Sequence, residues 1–144
     1  MKTDDCTVFD IKKQSGLAEL IQKCKVVVWD EAAMNHRHLM EALDRTLQDI
    51  MGNKCPFGGK VMVLAGDFRQ LPTVIKHGSR AQIVSASLKK SPLWSHFKVF
   101  ELRENMRIIN CAGDQTTAQA YDDWLLQLGN GDLSTLNDDR YIAL

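Results

Sequence analysis

The apolar residues of this chain alternate between short continuous runs and a helical period near 3.6. Residues 26–29, VVVW, form an uninterrupted run rich in β-branched side chains, the pattern of a strand buried on both faces in a parallel sheet. Residues 61–65, VMVLA, repeat it, and residues 7–11 and 97–102 supply two further strand candidates. Between them the spacing turns helical. Leu17, Leu20, Ile21 and Cys24 follow the i, i+3, i+4, i+7 rule behind a Ser15 cap. Leu39, Leu43, Leu47 and Ile50 line one side of a helix over residues 36–51, with Glu41 and Arg45 spaced to pair outside it and Gly52-Asn53 as its stop. Ser79 to Gln82 fits a capping box opening a helix with Ala81, Val84 and Leu88. Thr116 to Gln119 fits another, before Tyr121, Trp124, Leu125 and Leu128 and a Gly129-Asn130-Gly131 stop. Strand and helix thus alternate four times. That order predicts an α/β fold with a parallel, three-layer sheet.

Composition narrows the function classes. At 144 residues the chain is one domain long, enough for a real core and short for a complete motor enzyme. Eighteen basic and eighteen acidic residues cancel, so no global field draws the chain to nucleic acid or an anionic membrane, and any such contact is local. Cys6, Cys24, Cys55 and Cys111 form no C-x-x-C pair, which speaks against a zinc site or a disulfide scaffold and for reduced intracellular thiols. No stretch has the length or apolarity of a membrane span, and MKTDDCTVFDIKK has no apolar signal core. The expectation is an intracellular protein, not secreted and without a membrane partner.

The chemistry collects where the apolar runs end. The first run stops at Asp30-Glu31, and in open α/β sheets ligands bind at the carboxyl edge of the strands. Two adjacent acids can divide the tasks of holding a divalent cation and orienting a water, a Walker B-type reading. A core strand whose first surface residues are acidic gives the same sequence. The second run leads into Gly66-Asp67-Phe68-Arg69-Gln70-Leu71-Pro72. There Gly66 would let backbone approach a phosphate, and the Gln70 amide can both donate to a phosphate oxygen and accept from a water. A plain Gly-Asp turn is the alternative. After residues 97–102 comes the polar break Arg103-Glu104-Asn105-Met106-Arg107, where an Arg can neutralise charge on a transferring phosphoryl group or simply pair with Glu101 or Glu104.

These segments together resemble the PIF-type ATP-dependent DNA helicases of superfamily one, including those carried by Helitron transposons. The matching stretches are SGLAELI (15–21), VVWDEAAMNHRHLMEALDR (27–45), PFGGKVMVLAGDFRQLP (56–72), NMR (105–107) and WLLQLGNG (124–131). GDFRQLP beside DEA separates the chain from DEAD- and DEAH-box proteins. The resemblance implies a P-loop NTPase fold of the RecA-like type, ATP and Mg²⁺ as cofactors, and single-stranded DNA as partner of the full-length helicase. By the same resemblance Asp30 binds the metal, Glu31 polarises the attacking water, and Gln70 senses the γ-phosphate with Gly66 and Asp67 beside it. Arg107 reaches the nucleotide across the cleft between two motor domains. Residues 103–144 would begin the connection to the second of these. A nuclear location in a eukaryote, and roles in DNA repair, recombination or telomere maintenance, are implied at the same level.

The departures from that family bear on activity. No G-x-x-x-x-G-K-[ST] P-loop occurs, and its backbone amides and Lys are what hold the β- and γ-phosphates. Gly59-Lys60 is followed by Val61 and reads as a turn before a strand. In the family the P-loop lies upstream of Thr7, and the later motor motifs lie beyond Leu144. Ala33 replaces a common Pro, and Leu71-Pro72 lacks one residue of the Helitron-type spacing. The expectation is therefore a piece of a helicase, with an inert, partner-binding α/β fragment as the second reading. Outside the motifs, His36 and His38 are spaced to fall on different sides of a helix, which disfavours a metal pair. Lys76, His77, Arg80, Lys89 and Lys90 form a modest basic cluster suited to DNA phosphates or to plain solvation. Trp29, Trp94 and Trp124 read as core residues.

Overall fold

A computed structural model of the protein describes residues 8–70, 73–110 and 115–132. Cys6, Thr7, Leu71, Pro72 and Cys111 lie outside them. The chain divides into two compact units, Met1–Lys98 and Val99–Leu144.

In the first unit Ser15 caps α1 (Gly16–Lys23), its side chain accepting from the Ala18 amide. The helix is only eight residues long and buries a narrow stripe of Ala18 and Ile21, leaving Leu17 and Leu20 at 53% and 65% exposure. The broader stripe expected from spacing is thus not formed. β1 (Val26–Trp29) and β2 (Val61–Leu64) pair in parallel, Val26 opposite Val61 and Trp29 opposite Leu64. α2 (Arg37–Met51) crosses between them, with Gly52 as C-cap, matching the predicted helix and its stop.

Both strands alternate in burial. Val27, Trp29, Met62 and Leu64 turn toward the core, while Val26, Val28, Val61 and Val63 are exposed. Burial on both faces, as the continuous apolar runs predict, is therefore not what the described residues show: helices cover one face of a two-stranded sheet. Ala32, Met40, Leu47, Phe57 and Leu88 form the buried centre. Full burial of a Leu or Met side chain contributes about 2 kcal/mol.

Two expected strands are not formed. Residues 8–11 have no ladder; the Phe9 amide donates instead to Thr46 Oγ1 on α2 at 2.9 Å. Residues 97–102 are irregular, with Val99, Phe100 and Leu102 exposed. Ser79 does open α3 (Arg80–Ala86) with a complete capping box. α3 ends two residues before Leu88, which starts the 3-10 turn Leu88–Lys90; Ala86 and Leu88 are buried, while Ala81 and Val84 are exposed.

The second unit contains α4 (Met106–Ile109) and α5 (Gln115–Asn130). Asn105 joins them: its Oδ1 accepts from the Arg107 amide at 3.1 Å and its Nδ2 donates to Asp122 Oδ1 at 2.8 Å. Thr116 lies inside α5 instead of capping it, and Gly131 follows its last residue. Trp124 is half-buried and stacks on Tyr121 with ring centroids 5.8 Å apart. Among the described residues no helix is long and apolar enough to cross a membrane.

Candidate nucleotide site

Because β1 and β2 end in register at Trp29 and Leu64, the segments that follow leave one edge of the sheet. The acid pair and the GDFRQ loop thus start side by side. The Ala65 amide donates to Trp29 O at 2.9 Å, and the Ala32 amide donates back to Ala65 O at 2.9 Å, carrying the pairing one step past the strands. Gly66 then abuts the 3-10 turn Ala32–Met34. A Cβ on it would lie 3.2 Å from both the Ala33 Cβ and the Ala33 amide nitrogen. The missing side chain lets the two loops approach this closely.

Asp30 and Glu31 are both exposed at this edge. Asp30 Oδ1 accepts the Glu31 amide at 2.9 Å. Glu31 has φ 50° and ψ 33°, the left-handed region, which costs a residue with a Cβ roughly 1–3 kcal/mol. Asn35 Nδ2 donates to Glu31 O at 3.3 Å and helps hold that conformation. In the neighbouring loop Asp67 Oδ1 accepts the Arg69 amide at 2.9 Å, and the Arg69 guanidinium lies 3.5 Å from it. The Gln70 amide donates to Asp67 O at 3.3 Å, leaving the exposed Gln70 side chain at the end of a tight turn.

One tether here had no sequence signal. Buried Thr73 donates through Oγ1 to Asn35 O at 3.0 Å, tying the chain after the GDFRQ loop back to the acid-pair loop. A single Thr after a Pro shows no periodicity, so only the folded chain reveals it. Lys60 is committed elsewhere: its Nζ donates to Cys24 O at 2.6 Å and Gln22 O at 3.3 Å, closing the end of α1. That agrees with Gly59-Lys60 as a turn. Arg107 belongs to the second unit, exposed near the start of α4. His36 and His38 do come together, with ring centroids 4.3 Å apart, because His36 caps α2 from outside the helix. The expectation of different sides assumed both were helical.

A family model described as PIF1-like helicase matches residues 1–139. The chain belongs to the PIF1-like helicase family. It is 31% identical over 98 residues to the ATP-dependent DNA helicase Pif1 of Psychrobacter sp., covering 68% of this chain and 15% of that protein. To the ATP-dependent DNA helicase RRM3 of Saccharomyces cerevisiae it is 40% identical over 75 residues, 52% of this chain and 10% of that one. The PIF1-like chain therefore spans well under a fifth of these relatives. The crystal structure of a Bacteroides Pif1 helicase in complex with ADP-AlF3 and single-stranded DNA superposes with a TM-score of 0.51 at 23% identity, covering 72% of this chain and 28% of that one. Unliganded Bacteroides Pif1 gives 0.52 at 24% identity, covering 76% and 29%. These likenesses establish the RecA-like α/β fold, of which the chain holds a part.

Proposed function

We propose that this chain is part of an ATP-dependent DNA helicase that couples ATP hydrolysis to translocation along single-stranded DNA and to unwinding. The observation that carries this reading is the pair of loops that leave one sheet edge bonded to each other, one bearing Asp30 and Glu31 and the other Gly66, Asp67 and Gln70. Asp30 Oδ1 is occupied by a backbone amide, and Oδ2 has no hydrogen-bond partner among the described residues. Hard carboxylate oxygens of this kind suit Mg²⁺. When bound, that ion would neutralise charge on the β- and γ-phosphates.

In this reading Glu31, exposed at the sheet edge, polarises the attacking water. Gln70 senses the γ-phosphate through its amide, and Gly66 holds the two loops at contact distance. Arg107 supplies the arginine that neutralises charge on the transferring phosphoryl group. Residues 103–144 would then begin the connection to a second motor domain.

The test is a helicase containing this chain together with a P-loop segment. Glu31→Gln should leave ATP binding within about threefold and reduce hydrolysis and unwinding by about 10³-fold, because an amide cannot accept a proton as a carboxylate does. Wild-type turnover in that variant, measured by phosphate release, would remove the assigned role.

A further inference from the structure

The two loops of the acid edge are joined at two places, by different means. At the root, where they leave the strands, the backbone bonds between Ala32 and Ala65 and the contact of Gly66 with Ala33 hold them together. Farther out they part. Ala33 of one loop and Phe68 and Thr73 of the other line a cleft of about 250 Å³, so close packing does not set their separation there. What joins them at this end is a hydrogen bond, in which buried Thr73 donates through Oγ1 to Asn35 O at 3.0 Å.

Asn35 passes that bond on to Glu31. Its main-chain oxygen takes the Thr73 hydroxyl, while its side-chain Nδ2 donates to Glu31 O at 3.3 Å. Its own amide donates to Ala32 O at 3.0 Å, which fixes it to the 3-10 turn that Glu31 opens. Glu31 sits at φ 50°, a conformation that persists only where its surroundings hold it. Two hydrogen bonds through one residue therefore run from the end of the GDFRQ loop to the backbone that carries the Glu31 carboxylate. The residue type matters at Thr73, since a Val there would have nearly the same shape and no donor.

We infer that Asn35 and Thr73 are positioning residues for ATP hydrolysis, holding the Glu31 backbone at a fixed offset from the loop that carries Gln70. The inference rests on the helicase reading above and adds to it two residues that act through Glu31. A shift of about 1 Å between groups that must meet around one reacting centre can cost about a hundredfold in rate. A relaxed offset between the loops therefore costs turnover and leaves nucleotide affinity in place.

The experiment is phosphate release by the helicase used for Glu31→Gln, measured across Mg-ATP concentrations. Thr73→Val should lower kcat about tenfold and leave KM within about twofold of wild type. Thr73→Ser, which keeps the donor, should stay within about twofold in both. Asn35→Ala should lower kcat by a similar factor, and combining it with Thr73→Val should cost less than about a further twofold, because both bonds belong to one relay. In the Glu31→Gln background Thr73→Val should remove no further turnover, whereas a residue that serves the fold alone would lower the rate in either background. Wild-type kcat in Thr73→Val, equal loss in Thr73→Ser, or undiminished loss in the Glu31→Gln background overturns the inference. Should Thr73→Val lose its helical circular dichroism signal, Asn35→Ala with and without Glu31→Gln decides on the same terms. Loss of turnover in Glu31→Gln beside wild-type rates in Thr73→Val and Asn35→Ala removes this inference and leaves the helicase reading standing. Wild-type turnover in Glu31→Gln removes both.

Discussion

His36 stands where Ser, Thr, Asp or Asn usually caps a helix. Its Nδ1 accepts the His38 amide at 3.1 Å, so that nitrogen must be unprotonated for the cap to exist. Burial, then the His38 and Arg37 charges, hold its pKa below the ordinary 6.5, with Glu41 acting the other way. The unfolded chain therefore takes up this proton at higher pH than the folded one, and the cap's contribution is complete above pH 6.5 and declines as pH falls below it. His36→Asn keeps a capping acceptor that does not titrate. Urea midpoints measured from pH 7.5 to 4.5 should fall more steeply for the wild type than for the variant. Parallel profiles would show that His36 does not carry the effect. The Ser15 and Ser79 caps were legible from the sequence because their residue type announces the bond. His36 was read as a question about metals, since an acceptor role for a His depends on which nitrogen faces the amide.

Among the elements, the joint between α2 and the turn Pro56–Gly59 illustrates how local pattern and tertiary contact divide the information. Buried Asp44, on the helix, accepts the Phe57 amide at 2.6 Å and Gln48 Nε2 at 2.8 Å. This seats Phe57 in the core, its ring edge-on to Phe97 with centroids 5.7 Å apart. Gly58 follows at φ 62°, where a Cβ would meet Leu47 O at 2.6 Å and Met51 Cγ at 2.7 Å. Gly58→Ala combines overpacking against backbone with a left-handed Ala, and should destabilise the fold by about 3 kcal/mol. Denaturant unfolding checks this; a loss under about 1 kcal/mol would mean that α2 moves aside at little cost. The period of α2 is plain in the sequence, and so is the turn at Gly59-Lys60. That a buried carboxylate joins them was not, because Asp44 reads as an ordinary polar position. For the same reason residues 8–11 and 97–102 passed for strands: alternation reports a backbone ready to extend, whereas a ladder also needs a partner, and Phe9 donates to Thr46 instead.

At the scale of the whole molecule, the parallel pairing and the shared edge of the two motif loops follow from short apolar runs that each end in polar residues, whereas the family is carried by the motif stretches themselves, GDFRQLP beside DEA above all. One-sided burial of those runs could not be read from them, since the exposed Val26, Val28, Val61 and Val63 look like core residues in sequence. The same proportion decides what the 144 residues can do alone. No P-loop occurs in the sequence, so the backbone cradle and Lys that normally hold the β- and γ-phosphates are not supplied. Asp30, Glu31 and Gln70 are left to face a nucleotide, and two carboxylates repel its phosphates unless Mg²⁺ bridges them. All three side chains are exposed to water, where a bridged ion pair is weak and offers little against the entropy lost on binding. The isolated chain should therefore bind Mg-ATP no more tightly than roughly 1 mM, about −4 kcal/mol, and single-stranded DNA should not stimulate phosphate release from it. Titration calorimetry with Mg-ATP and a phosphate-release assay with oligo-dT measure both. Micromolar binding abolished by Glu31→Gln would mean that the acid edge, without a P-loop, is itself a sufficient nucleotide site.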